Sequence, residues 1–163
     1  MDMQLHVRLS ENLLDFDKVV RNFQEPIPGG DRLGGFWTST FDEKTGSDWL
    51  QKKVFKPYIH IYRGYLFEII NSPKIFQVNN FSDEEYFKSF YKSNYNEVAK
   101  DYNGLHLTKV FLDECRNKHI AFSNNSNFFE WIVECTWWFD IEFLRLKKTL
   151  EGYELREIIE KTL

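Results

Sequence analysis

Apolar and polar positions along this chain change their spacing several times, and each change marks an element. Residues 3–8 alternate between apolar and polar, as a strand with one covered face does. Over 11–23 the spacing becomes helical: Leu13, Leu14, Phe16, Val19, Val20 and Phe23 form one stripe, and Ser10 stands where a cap belongs. Pro26 and Pro28 end that helix, because proline has no N–H for the ladder. The second half of 33–40 reads as a strand entered through Gly34 and Gly35, followed by a short helix over 47–54. Strand-like runs at 58–62 and 65–70 flank Arg63 and Gly64, the pattern of a hairpin, and 74–78 reads as another strand.

The longest helical pattern covers 83–102. Ser82 and Glu85 have capping-box spacing, and Phe87, Tyr91, Tyr95, Val98 and Tyr102 share a face, which predicts packing on a sheet. Asn103 and Gly104 close it, since both tolerate a left-handed backbone. A buried strand at 105–107 and a helix capped by Thr108 and reaching Cys115 come next. A polar loop at 123–127 precedes an apolar, aromatic run over 128–146, whose second half reads as one long strand. A short helix at 154–161 ends the pattern. Strands and helices do not alternate regularly, so an α+β fold in one domain, 1–163, is expected rather than a doubly wound parallel sheet.

Composition narrows the function classes. Phe 16, Tyr 8 and Trp 5 give a 163-residue chain enough large apolar surface for a core without disulfides. A net charge of -4 lacks the basic excess that drives binding to nucleic-acid backbones, and the clusters Lys52, Lys53, Lys56 and Arg145, Lys147, Lys148 read as solvated faces. Cys115 and Cys135 lack metal-ligand spacing, and His6, His60, His106 and His119 are scattered, so no metal is expected. No run is long enough for a membrane span and no secretory segment opens the chain, which makes the cytoplasm the expected compartment.

Three patches carry candidate chemistry. His6 and Arg8 share a strand face with Gln4; together they suit a phosphate or carboxylate, or equally form an ordinary edge face. In the second patch Phe36 and Trp37 offer stacking surfaces and Thr38, Ser39 and Thr40 offer hydroxyls, although a buried strand with a tight entry turn has the same composition. The third is Glu134, set among aromatic and apolar residues with Glu130 four positions earlier. A carboxylate there needs a partner, solvent or a raised pKa, as catalytic acids and paired structural acids both do.

Taken in this order, the patches resemble the ADP-ribosyltransferase fold. The resemblance implies a split antiparallel β-sandwich with peripheral helices and NAD as substrate. It makes Glu134 the catalytic acid, with Ser39 steadying it in a Thr38-Ser39-Thr40 version of the family's Ser-Thr-Ser element. It makes His6 or Arg8 the anchor for ribose or diphosphate, with Phe36 or Trp37 holding the nicotinamide, flanked by Thr38 and Thr40. The segment 102–107 also looks like the strand before the family's catalytic loop. The implied activity is cleavage of the nicotinamide–ribose bond and transfer of ADP-ribose to a macromolecular target, a protein before a nucleic acid. The small size resembles accessory proteins of bacterial viruses, and a second expectation is therefore a non-enzymatic inhibitor of a host factor. Its anchors would be Trp49, Trp137 and Trp138 beside acidic residues.

Overall fold

The computed structural model describes residues 3–15, 36–52, 56–117, 128 and 133–162. The expected helix beyond residue 15, the proline and glycine turn at 26–30, Gly34, Gly35, the loop 123–127 and Glu130 lie outside the described residues.

The fold is mixed α+β. Its strands are β1 (Met3–Leu9), β2 (Phe36–Phe41), β3 (Tyr62–Ile69), β4 (Ile75–Val78), β5 (Gly104–Leu107), β6 (Cys135–Trp138) and β7 (Leu144–Leu150). They form one seven-stranded sheet in the order β4-β5-β6-β2-β1-β3-β7, antiparallel except for β4 beside β5. The strand β2 changes neighbours along its length. Its first half, Phe36 to Thr38, pairs with β6, and its second half, Ser39 to Phe41, pairs with β1.

Four helices complete the described structure: α1 (Phe81–Phe90), α2 (Tyr95–Asp101), α3 (Lys109–Asn117) and α4 (Gly152–Lys161). Phe87, Val98, Phe111 and Leu112 from the first three join Phe76, Val78, Leu105, Leu107 and Trp137 of β4, β5 and β6 in one core. Leu155 and Ile159 of α4 join Leu5, Phe41, Leu66 and Leu150 in a second core. Strand parity puts both cores on one side of the sheet. The other side carries Gln4, His6, Arg8, Thr38, Thr40, Tyr65, His106, Thr136 and Trp138, with an aromatic cluster of Phe36, Tyr65, Phe67, Trp138, Ile141 and Leu144 over part of it.

Several expected elements are redrawn by local chemistry. Residues 13–15 have no helical hydrogen bonding, so the expected helix does not begin at 11. The helix expected over 83–102 is two helices, because Lys92 and Ser93 take left-handed backbone (φ 54 and 56) and Asn94 caps a new start. The cap of α1 is Asn80, accepting from Asp83 N at 3.0 Å, and not Ser82. No hairpin turns at Arg63 and Gly64. A 3-10 turn (Lys56–Ile61) leads into one unbroken β3, and Gly64 sits inside it because a Cβ there would stand 2.9 Å from Leu155 of α4. The segment 47–51 is a turn, with Ser47 Oγ accepting from Leu50 N. The long strand expected late in the chain is two, separated where Asp140 caps a turn at Ile141–Phe143. No helix among the described residues is long and apolar enough to cross a membrane.

Candidate functional site

Extending the β2–β6 register from the Thr38–Thr136 pair would set Glu134 opposite Thr40. The ladder stops short of that pair. In its place the Glu134 side chain accepts the Thr40 N–H (3.0 Å to Oε2), while its own N–H donates to Asp48 Oδ2 at 2.8 Å. A carboxylate therefore stands where a backbone carbonyl would continue the sheet, and the strands part around it.

Glu134 is 6% exposed, and every bond its carboxylate accepts comes from a nearby strand. Thr40 Oγ1 donates to Oε1 at 2.7 Å, His106 Nε2 stands 2.8 Å from the same oxygen, and Ser39 Oγ donates to Oε2 at 3.3 Å. Burial, the strongest influence on this group, acts to raise its pKa. The bonds from His106 and Thr40 outweigh burial and hold the carboxyl below the usual glutamate range. Glu134 is a charged, pre-oriented acid.

These contacts belong to a polar row that crosses five strands. Gln77 Oε1 stands 2.8 Å from His106 Nδ1; Gln4 Nε2 reaches Thr40 Oγ1 at 3.4 Å; Thr38 Oγ1 donates to Gln4 Oε1 at 2.6 Å; and Trp138 Nε1 donates to Thr38 Oγ1 at 2.7 Å. Buried polar networks are kept at a desolvation cost, which is a reason to look for chemistry along this one.

Two cavities meet at Thr40 and His106. The larger, about 450 Å³, is lined by Glu134, His106, Asp42, Asp48, Gln51 and Lys109 among others, and the smaller, about 180 Å³, by Gln4, Gln77, Thr136, Trp138, Ile69 and Ile75 besides the shared pair. The wall of the larger cavity is a tight turn. Asp42 accepts from the Lys44 and Thr45 backbone, which keeps its carboxyl below the ordinary value, and Gly46 (φ 73) closes the turn onto Asp42. Gln51 Nε2 ties the same segment to Thr162 after α4 at 2.7 Å. Three carboxylates thus face the cavity. The ammonium of Lys109, also on its lining, is engaged by Asp113 at 3.1 Å. The cavity has a negative interior, which favours a ligand or a transition state that carries positive charge.

Of the residues singled out in the sequence, Glu134, Ser39 and Thr40 come together, and Thr38 lies in the same polar row. His6 and Arg8 line neither cavity. His6 Nδ1 donates to the Trp37 carbonyl at 2.7 Å; burial first, then the Arg8 charge, lower its pKa to about 4 against that bond, so the ring is neutral. Arg8 pairs in register with Arg63, four residues along β1 from the Gln4–Thr40 pair, or about 13 Å along the strand. Phe36 is buried against His6 and Phe67, and Trp37 stacks on Trp137 on the helix side of the sheet; neither lines either of these two cavities. Trp137 and Trp138 are buried, so they cannot anchor an outside partner. Among the described residues no group of three His, Cys, Asp or Glu could hold a metal ion.

His106, Gln77, Gln4 and Asp48 enter the site without having been marked as candidates. The 102–107 resemblance covered His106, but nothing in the sequence tied it to a residue 28 positions later. Compared with protein-family models, curated proteins and solved structures, the chain matches none.

Proposed function

We propose that this protein handles NAD at the Glu134 cavity, cleaving the nicotinamide–ribose bond and passing ADP-ribose to a macromolecular acceptor. The observation that carries the proposal is the convergence of Ser39 and Thr40 on Glu134, which lines a negatively charged cavity together with Thr40. On this reading the parting of β2 from β6 at Glu134 corresponds to the opening of a split β-sandwich.

The chemistry follows from charge. The oxidised nicotinamide ring is cationic, and when its bond to ribose C1′ breaks, the bonding electrons leave with neutral nicotinamide. The ribose is left as an oxocarbenium ion. A fixed carboxylate beside C1′ stabilises that developing charge more than it stabilises bound NAD, and this difference lowers the barrier. Asp42 and Asp48 add to the same field. The nucleophile of the acceptor then bonds to C1′ and gives up its proton to water. Glu134 and Thr40 both line the cavity, so a ribose hydroxyl would meet the carboxylate from that side.

The test is nicotinamide release from NAD by the wild type and by Glu134→Gln. The amide keeps the shape and can still accept the Thr40 N–H, while the charge is gone. Release by the wild type and a loss of about 10²- to 10³-fold in the variant are expected. Equal rates in the two proteins would remove Glu134 from the reaction. No release by the wild type would remove the reaction itself.

A further inference from the structure

Both ring nitrogens of His106 face oxygen: Nε2 the Glu134 carboxylate at 2.8 Å and Nδ1 the Gln77 amide oxygen at 2.8 Å. Neither oxygen can donate to the ring, so only an imidazolium satisfies both contacts as they stand. A carboxamide, however, turns over easily. With its NH₂ towards Nδ1, Gln77 donates to a neutral ring whose remaining proton is on Nε2. In either state Glu134 keeps its N–H donor, and only the charge beside it changes.

We propose that His106 and Glu134 form a proton-switched ion pair, with Gln77 as a reversible partner, so that the imidazole sets the charge the carboxylate presents to the cavity. His106 is a positioning residue that acts through Glu134. Its side chain is 20% exposed and borders the cavity, so protons reach it from solvent. The groups around it are mostly acidic. Glu134 touches it, Asp42 and Asp48 line the same cavity, Gln77 and Thr40 are neutral, and Lys109 is engaged by Asp113. With the proton on, the negative charge of Glu134 is balanced; as pH rises and the proton leaves, the carboxylate acts on the cavity with its full charge. This use of the switch rests on the NAD reading, in which nicotinamide release rises with pH through the titration of His106.

The ring titration is measured by NMR on the intact protein, with His106→Gln identifying the resonance, and nicotinamide release is followed over the same pH range. Glu134→Gln, which removes the negative charge beside the ring, is expected to lower the His106 midpoint, and Gln77→Glu, which adds a second one, to raise it. The rise in nicotinamide release should move upward with Gln77→Glu and flatten in His106→Gln, which keeps an N–H donor for Glu134 but cannot titrate. A ring midpoint indifferent to Glu134→Gln would overturn the pair. A rising limb that survives in His106→Gln would overturn its control of the reaction. If the wild type releases no nicotinamide, the NAD reading fails, and the ring titrations still decide the pair.

Discussion

Replacing Thr38 by valine tests whether the polar row holds the sheet together as its geometry implies. The Thr38 hydroxyl donates to Gln4 Oε1 at 2.6 Å and accepts the Trp138 indole N–H at 2.7 Å, and Thr38, Gln4 and Trp138 are all buried. Valine fills the same space, so no cavity opens. It leaves the indole N–H and the glutamine carbonyl without the hydroxyl between them. Each orphaned group costs about 1–3 kcal/mol, offset by less than about 1 kcal/mol from the added methyl burial. The expected net loss is about 1–6 kcal/mol. Urea denaturation should show it as a lower midpoint at unchanged slope. The cycle with Trp138→Phe separates the hydrogen bond from the loss of indole packing. A coupling of roughly 1–2 kcal/mol is expected between two residues that share one bond. A Thr38→Val protein within about 0.5 kcal/mol of the wild type, the usual range for a site without special contacts, would refute the reasoning.

Other perturbations probe the frame around the site. A Cβ on Gly152 would lie 2.5 Å from the His60 carbonyl oxygen, so Gly152→Ala should push α4 off the 3-10 turn and cost about 1–3 kcal/mol in the same assay. His6 has a folded pKa of about 4, below its unfolded 6.5, so its contribution to stability is full above 6.5 and is lost as pH falls towards 4. The loss amounts to about 3 kcal/mol, and His6→Phe should flatten that part of a stability-against-pH curve. Glu134 also has a depressed pKa, so its stabilisation is present above the ordinary glutamate value and disappears as pH falls through the folded one. At neutral pH Glu134→Ala strands the Thr40 N–H and the His106 ring and should cost about 2–4 kcal/mol, more than Glu134→Gln, as thermal melts would show.

Much of the local structure was legible because it depends on neighbours in sequence. Alternation marked β1, while β4 and β5 read as short strands, and Thr108 caps α3 as its spacing required, with its Oγ1 accepting from Phe111 N. Misread elements depended on distant groups or on single backbone angles. Gly64 looks like a turn residue until Leu155 of α4 is seen to need its space. The aromatic stripe over 83–102 keeps helical spacing across Lys92 and Ser93, whose left-handed backbone has no signature in that pattern, although Asn94 is a cap residue in plain view. The site divides in the same way. Glu134 stood out as an acid among aromatics and Ser39 as part of a hydroxyl run. His106 and Gln77 are joined to them only by the registers of β4, β5 and β6, which one strand's parity cannot supply.

The most direct test of the account is a crystal structure with an NAD analogue whose ribose ring oxygen is replaced by carbon, so that the bond to nicotinamide persists. The account predicts the nicotinamide-bearing ribose in the larger cavity, with a hydroxyl hydrogen-bonded to the Glu134 carboxylate. An analogue bound elsewhere, with Glu134 still enclosed by Ser39, Thr40 and His106, would contradict it.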